Sequence, residues 1–193
     1  MSVYSEAIAE FKAAFERAGA SGRRNMNAMS LATVNGAGAP SNRTVLLKDV
    51  DETGFVFFTD ERSRKGRDLA ESGLASACFY WEPIEEQARI DGHVEQLASD
   101  VAAADFLARP RAGQVMIWAS AQSQPLASAD ALRSAVAEAE ATQPDPAAIP
   151  PYWAAYRLRP TYIELWRGAR DRMHERLAYT QGEPDWTRER LAP

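Results

Sequence analysis

Met29-Ser30-Leu31-Ala32-Thr33-Val34-Asn35-Gly36-Ala37-Gly38, followed by Asn42-Arg43-Thr44-Val45-Leu46-Leu47-Lys48, is the stretch that decides the fold. Two apolar-rich segments flank an Asn-Gly pair, residues that tolerate the positive φ angles of tight hairpin turns. They read as a strand from Met29 to Val34 and a return strand from Asn42 to Lys48. Asp51-Glu52-Thr53-Gly54 is the next turn, and Phe55 to Thr59 the next strand. Leu74 to Trp81 and Gln87 to Leu97 read as a long strand pair joined around Pro83. The last strands are expected at Trp153–Leu158, Tyr162–Trp166, His174–Thr180 and Trp186–Leu191. Helices interrupt this series. Residues 4–18 carry Ile8, Phe11 and Phe15 in the i, i+3, i+7 pattern of an amphipathic helix. Ser63 to Ser72 is a helix with Ser63 as its N-cap. Ala98 to Ala108 is stopped by Arg109-Pro110, and Ala127 to Ala141 is Ala- and Glu-rich. Gly19 to Arg24 reads as a linker and Thr142 to Pro151 as a Pro-rich loop. Hairpin-linked strands with inserted helices predict a mainly β, antiparallel barrel and not a doubly wound sheet.

Length and charge narrow the function. A chain of 193 residues suits one domain with a sizeable core, here 1–193 with residues 1–24 as an N-terminal helix and linker. A net charge of -5 argues against a general nucleic-acid or membrane-surface binder. No apolar run is long enough to span a bilayer. The first residues lack a charged segment followed by an apolar one, so a cytoplasmic protein is expected. The single cysteine, Cys78, lies in an apolar run and is expected as a buried core thiol. With two histidines and no ligand spacing, no metal site is expected.

Against this acidic background, Arg and Lys recur in particular places. In Arg172-Met173-His174-Glu175-Arg176, a strand would direct Arg172, His174 and Arg176 to one face. Such a face suits a phosphate, a carboxylate or an electron-rich ring, or it is a solvated edge. Ser63-Arg64-Lys65-Gly66-Arg67 opens a helix directly after a strand. Cations there oppose the helix dipole unless an anion neutralises them, so the segment favours phosphate binding. Arg43 and Lys48 end a core strand, but their opposite parity keeps periodicity from uniting them in one site. Arg109 lies four residues after Asp105, within reach for a pair on the helix surface. Trp118-Ala119-Ser120-Ala121-Gln122-Ser123-Gln124-Pro125 reads as a polar loop. Its amides could read a planar ring or satisfy loop backbone. His93, in Asp91-Gly92-His93, reads as an exposed residue at a turn or bulge.

Together these motifs resemble the pyridoxamine 5′-phosphate oxidase family, from Asn27 to Pro193. The resemblance rests on Arg43-x-Val-Leu-Leu-Lys48, Gly54-Phe-Val-Phe-Phe-Thr59, Ser63-Arg-Lys-Gly-Arg67 and Arg109-Pro-Arg111. It continues through Trp118-x-Ser-x-Gln-Ser123 and Trp166-x-Gly followed by Arg172-x-His174-x-Arg176. It implies a split β-barrel homodimer with FMN at each of two sites at the subunit interface. Arg43, Thr44, Val45, Leu46, Leu47, Lys48, Phe58, Thr59, Arg64 and Lys65 would hold FMN, with Arg64 and Lys65 at its phosphate. Gln87, Gln122, Ser123, Trp166 and Arg176 would complete the flavin site. Lys48 and Arg109 would bind the substrate, with Arg172 and His174 as the catalytic pair holding it above the flavin. The implied reaction carries hydride from C4′ of pyridoxamine or pyridoxine 5′-phosphate to flavin N5, with O2 as acceptor and pyridoxal 5′-phosphate as product.

This chain departs from the family pattern where the substrate phosphate would bind. Asp105 stands where a Tyr is expected and Gly113 where a Ser is expected. Two hydroxyl donors are gone and one carboxylate is added. Met116-Ile117 replace a Gly-Ala pair. An oxidoreductase of the same fold with a different, non-phosphorylated substrate is therefore an alternative, and a non-catalytic FMN or pyridoxal-phosphate binder is a third. Arg172 and His174 favour catalysis, because a carrier needs no group above the flavin.

Overall fold

The computed structural model describes residues 2–22 and 24–193. Its centre is a nine-stranded antiparallel sheet whose main path runs β2-β1-β5-β6-β7-β4-β3. The strands are β1 (Ala28–Val34), β2 (Pro40–Leu46), β3 (Asp49–Asp51), β4 (Gly54–Asp60), β5 (Leu74–Trp81), β6 (Glu86–Gln96), β7 (Trp153–Arg167), β8 (Glu175–Thr180) and β9 (Thr187–Arg190). β2 and β3 sit at opposite ends of that path, yet only Leu47 and Lys48 connect them. The sheet must therefore curl until its two edges nearly meet. Lys48 N–H seals the seam by donating to the Val56 carbonyl at 2.9 Å, and Leu47 N–H donates to the Asn27 carbonyl at 2.8 Å.

β7 splits the barrel. Its first half pairs β4, from Phe55↔Leu158 to Asp60↔Trp153, and its second half pairs β8, from Tyr162↔Thr180 to Arg167↔Glu175. Two strands, Trp153–Leu158 and Tyr162–Trp166, are expected here from sequence. The chain instead continues as one strand. Pro160, with no N–H to donate, falls in the gap between the two paired segments and opposite a β6 bulge at Asp91/Gly92. His93 is exposed beside that bulge, as expected.

Helix α1 (Val3–Ala20) closes the open side of the barrel, and its end lies within the expected linker. Ser2 caps it, accepting from Ser5 N–H. Its apolar stripe buries Ala7, Ile8, Phe11, Ala14 and Ala18. Phe11 meets Phe55 edge-on at 4.8 Å and Phe79 at 5.3 Å. Helix α2 (Arg64–Ser72) follows β4 and ends at Gly73 in the left-handed region. Helices α3 (Ser99–Leu107), α4 (Arg111–Ala119) and α5 (Ala129–Thr142) form an insertion between β6 and β7.

Four expectations need correction. Trp118 and Ala119, the start of the expected polar loop, belong to helix α4, which the sequence reading does not anticipate. Pro110 does not end the helical region; it stands at the N-cap of a new helix, where a missing N–H costs nothing. Arg43 to Lys48 is not a core strand. β2 pairs only β1, and burial begins at Leu47, beyond its end. Cys78 is half-buried, because β5 directs Ala77 and Phe79 to the core and Cys78 to the opposite face. Its thiol is nonetheless pushed up by burial. Finally, Arg172 and His174 are not on a strand. β8 starts at Glu175, and Arg172 adopts a φ of 63° in a turn closed by its N–H to the Ala169 carbonyl at 3.0 Å. The alternation argument for that trio fails, although the three residues remain neighbours along the chain.

Candidate active site

The predicted residues gather into three groups. The first surrounds the start of α2. Ser63 Oγ accepts from Gly66 N–H at 3.2 Å, which fixes the first turn of the helix. Arg64 and Lys65 then lie where backbone N–H groups lack helical partners and the dipole favours an anion. Lys65 turns inward and is only 6% exposed. Its Nζ donates to Gln122 Oε1 at 2.7 Å, Thr59 Oγ1 at 3.0 Å and Ser63 Oγ at 3.3 Å. Thr59 Oγ1 donates in turn to Gln122 Oε1 at 2.9 Å. Arg43 reaches in from β2, donating to the Leu31 carbonyl at 3.0 Å and to Thr33 Oγ1 and Ser41 Oγ at 2.7 Å each. Thr33 Oγ1 donates to Asp68 Oδ2 at 2.6 Å, and Asp68 lies 3.7 Å from Arg43. Thr33 and Asp68 support the site and were missed from sequence. They come from a strand and a helix far apart in the chain, and no local pattern links them.

Burial pushes the Lys65 ammonium down to about 8; Arg43 adds to that shift and Asp60 opposes it. Burial also lowers Arg43, helped by nearby Arg64 and opposed by Asp68. Cations that disfavour one another's charge at a helix N-terminus make a site suited to a dianion.

The second group is a row across the sheet. Register places Tyr80, Gln87, Trp166 and Arg176 side by side on β5, β6, β7 and β8. Arg176 Nε donates to Glu164 Oε1 at 2.8 Å, and Arg176 Nη1 donates to the Ala192 carbonyl at 2.9 Å. Glu164 also accepts from Tyr162 OH at 2.9 Å and pairs with Arg89 at 3.4 Å. The His174 ring lies 4.9 Å from that of Trp166. Its Nδ1 accepts the Ala169 N–H at 3.1 Å, which leaves Nε2 to carry the proton of the neutral ring. A cavity of about 210 Å³ adjoins Gln87, Trp166, Arg17 and Glu86. Among the described residues, no hydrogen bond or ion pair joins this row to the Lys65 group.

The third group joins the first. Asp105 Oδ1 pairs with Lys48 at 3.3 Å and Asp105 Oδ2 with Arg109 at 2.7 Å. The Arg109 guanidinium also lies 4.7 Å from the centre of the Trp153 ring, which stacks on Phe58. A cavity of about 280 Å³ is lined by Arg109, Gly113, Met116, Ile117, Gln122 and Trp153. Gln122 thus faces both this cavity and Lys65.

Some predicted residues stand apart. Thr44 and Leu46 are exposed on the outer side of β2, while Leu47 packs into the core with Val45 against it. Ser123 is exposed with a φ of 69°. Arg111 and Trp118 are structural. Arg111 Nη2 donates to the Glu140 and Gln143 carbonyls at the end of α5, and Trp118 Nε1 to the Ala148 carbonyl at 2.6 Å.

Residues 15–143 match the family model described as pyridoxamine 5′-phosphate oxidase. Residues 153–193 match that described as the pyridoxine 5′-phosphate oxidase C-terminal dimerisation region. A Myxococcus xanthus protein named pyridoxine/pyridoxamine 5′-phosphate oxidase is 44% identical over 96% of this chain and 91% of its own length. One of the same name from Thermosynechococcus vestitus is 46% identical over 86% of this chain and 79% of its own. Among solved structures, PhzG from Burkholderia lata 383, in complex with tetrahydrophenazine-1-carboxylic acid, superposes with a TM-score of 0.90. It is 34% identical and covers 96% of this chain and 92% of its own.

Proposed function

This chain belongs to the pyridoxamine 5′-phosphate oxidase family, and from that premise we propose that it is an FMN-dependent oxidase of pyridoxamine or pyridoxine 5′-phosphate, working as a homodimer. The observation that carries this reading is the convergence of Arg43, Arg64 and Lys65 on the capped start of α2. Its donor set suits the phosphate of FMN: three cations and free helical N–H groups, with the nearby carboxylates Asp68 and Asp60 engaged by Thr33 and Arg62. Held there by Arg43, Arg64 and Lys65, FMN would supply the redox chemistry, as a hydride acceptor that O2 could reoxidise with release of hydrogen peroxide.

The residues of the chain bind and orient. Thr59 and Gln122 fix Lys65 toward the phosphate. Among the described residues, no hydrogen bond or ion pair joins Gln87, Trp166 and Arg176 to the Lys65 group, which supports a two-fold dimer in which one protomer's Lys65 group meets its partner's row. One hydrophobic cluster running from Ala7 to Tyr179 supports reading residues 1–193 as one domain. His174, with Nδ1 engaged, offers Nε2–H to a substrate heteroatom, and Arg172 adds positive charge beside it. The cavity at Arg109 and Gln122 receives the far end of the substrate. A second reading, a same-fold oxidase of a non-phosphorylated substrate, is favoured by the pairing of Asp105 with both Lys48 and Arg109.

Purified protein is expected to take up FMN in preference to riboflavin and to sediment as a dimer. It should consume O2 with pyridoxamine 5′-phosphate. Equal affinity for the two flavins would refute the cofactor assignment, and a monomer that holds FMN tightly would refute the dimer. Absence of flavin reduction by either phosphorylated vitamer would refute the substrate. Arg172→Ala and His174→Asn are each expected to lower turnover at least about tenfold while leaving FMN bound. Loss of FMN in parallel with activity would move both residues out of the catalytic role.

A further inference from the structure

Lys48 and Arg109 stand about one carboxylate, and that carboxylate belongs to the protein. Asp105 comes from α3, and its side chain is only 11% exposed. It reaches Lys48 at 3.3 Å with one oxygen and Arg109 at 2.7 Å and 2.8 Å with the other. Arg109 lines the cavity together with Gln122, Asp60, which is itself paired with Arg62 at 2.8 Å, and the apolar Met116, Ile117 and Trp153. A ligand entering there meets Arg109, which an internal anion, Asp105, ties to Lys48 behind it. The net charge of the trio is +1 where the cations alone would present +2. Both cations must leave Asp105, or be shared with it, before they can bind an incoming phosphate.

We propose that Asp105 is a specificity-determining residue that occupies the phosphate-binding cations, so that the site takes substrates lacking a phosphate nearly as well as phosphorylated ones. This rests on the reading that the cavity at Arg109 receives the substrate. The class of substrate is a small planar aromatic ring whose end toward Lys48 and Arg109 is uncharged or carries a single charge. Asp105 acts through Lys48 and Arg109 and touches no reacting atom. Its effect therefore falls on the discrimination between ligands and not on the chemical step. Gly113 leaves room for a change, since a Cβ there would meet only Arg109 Cβ, at an ordinary 3.6 Å.

The test is equilibrium binding to the FMN-loaded dimer of two ligands that cannot be oxidised at C4′, 4-deoxypyridoxine and its 5′-phosphate, read from the flavin spectrum. In the wild-type protein the two dissociation constants should lie within tenfold of each other. Asp105→Asn should tighten the phosphorylated ligand tenfold or more and leave the other unchanged. Asp105→Tyr with Gly113→Ser should go further in the same direction. If Asp105→Asn does not fold, Asp105→Ser makes the same comparison. A wild-type preference for the phosphorylated ligand above a hundredfold would overturn the proposal. So would a variant that shifts both ligands alike, or failure of either ligand to bind any variant. If the ligands behave as expected but neither vitamer reduces the flavin, the substrate assignment fails and the role of Asp105 stands.

Discussion

Replacing Gly66 with alanine is expected to cost at least about 3 kcal/mol of folding stability and to abolish FMN uptake. Gly66 lies inside α2 with no special dihedral, so the requirement is space. A Cβ at this position would sit 2.2 Å from the Glu61 carbonyl oxygen, 2.5 Å from its carbon and 2.6 Å from the Glu61 Cα. All three are backbone atoms, and no rotamer change can move them away. Relief would require the first turn of α2 to lift off the strand end before it. That movement would break the Ser63 cap and withdraw Lys65 from Thr59 and Gln122. Gly73, at the other end of the same helix, is the control. It has a φ of 65° but open space around its Cβ position, so Gly73→Ala should cost only about 1 kcal/mol of backbone strain. Urea denaturation of the two variants beside an FMN titration makes the comparison. A Gly66→Ala protein as stable as Gly73→Ala, and still binding FMN, would show that the close approach to Glu61 has no energetic consequence.

The same helix shows why parts of this molecule are legible from sequence. Ser63, the two cations after it and Gly73 are a local pattern with a local cause, and α2 begins and ends where that pattern predicts. β5 was read correctly for a similar reason, since its alternation of buried and outward residues is unbroken. α4 was not legible. Gly113 and the β-branched Val115 and Ile117 weaken its helix signal, and the element is held by tertiary bonds instead. Gln114 joins the Arg109 carbonyl at 3.0 Å to the Ala147 N–H at 2.9 Å across the insertion. β7 reads as two strands in sequence, and the register that carries one strand through Pro160, whose missing N–H falls between the paired halves, is not local. In the site, the pairing of Asp105 with Arg109 could be seen from their spacing. The pairing of Asp105 with Lys48 could not, because it depends on α3 folding back over the barrel seam. Periodicity could not place Arg43 and Lys48 together, and Lys48 lies beyond the end of β2: Arg43 joins the Lys65 group and Lys48 pairs with Asp105.

FMN affinity is expected to fall as pH rises above about 8, by up to roughly tenfold per pH unit. The cause is Lys65, whose ammonium is held down to about 8 by burial first and by Arg43 second. Below that pH the free protein already carries the charge a phosphate needs. Above it, Lys65 is neutral in the free protein and must take up a proton as the dianion binds, because a nearby anion favours the charged form. Folding stability moves the other way. A lysine whose folded pKa lies below its unfolded value of 10.5 binds fewer protons when folded, between about 8 and 10.5. Its contribution to the stability of the FMN-free protein is therefore unfavourable below about 8 and is relieved as pH rises through that window. Opposite slopes for cofactor affinity and apoprotein stability over one pH interval are the signature of a buried cation awaiting an anion. Lys65→Met should remove both slopes and weaken FMN by about ten- to a hundredfold, the worth of one charge-assisted hydrogen bond. Riboflavin, which has no phosphate, should show no such dependence on pH in either protein. Calorimetric titration from pH 7 to 10, with FMN and riboflavin on wild-type and Lys65→Met protein, measures all of this. A flat FMN profile in the wild type would mean that the phosphate lies away from Lys65, and the binding site would then have to be sought outside the start of α2.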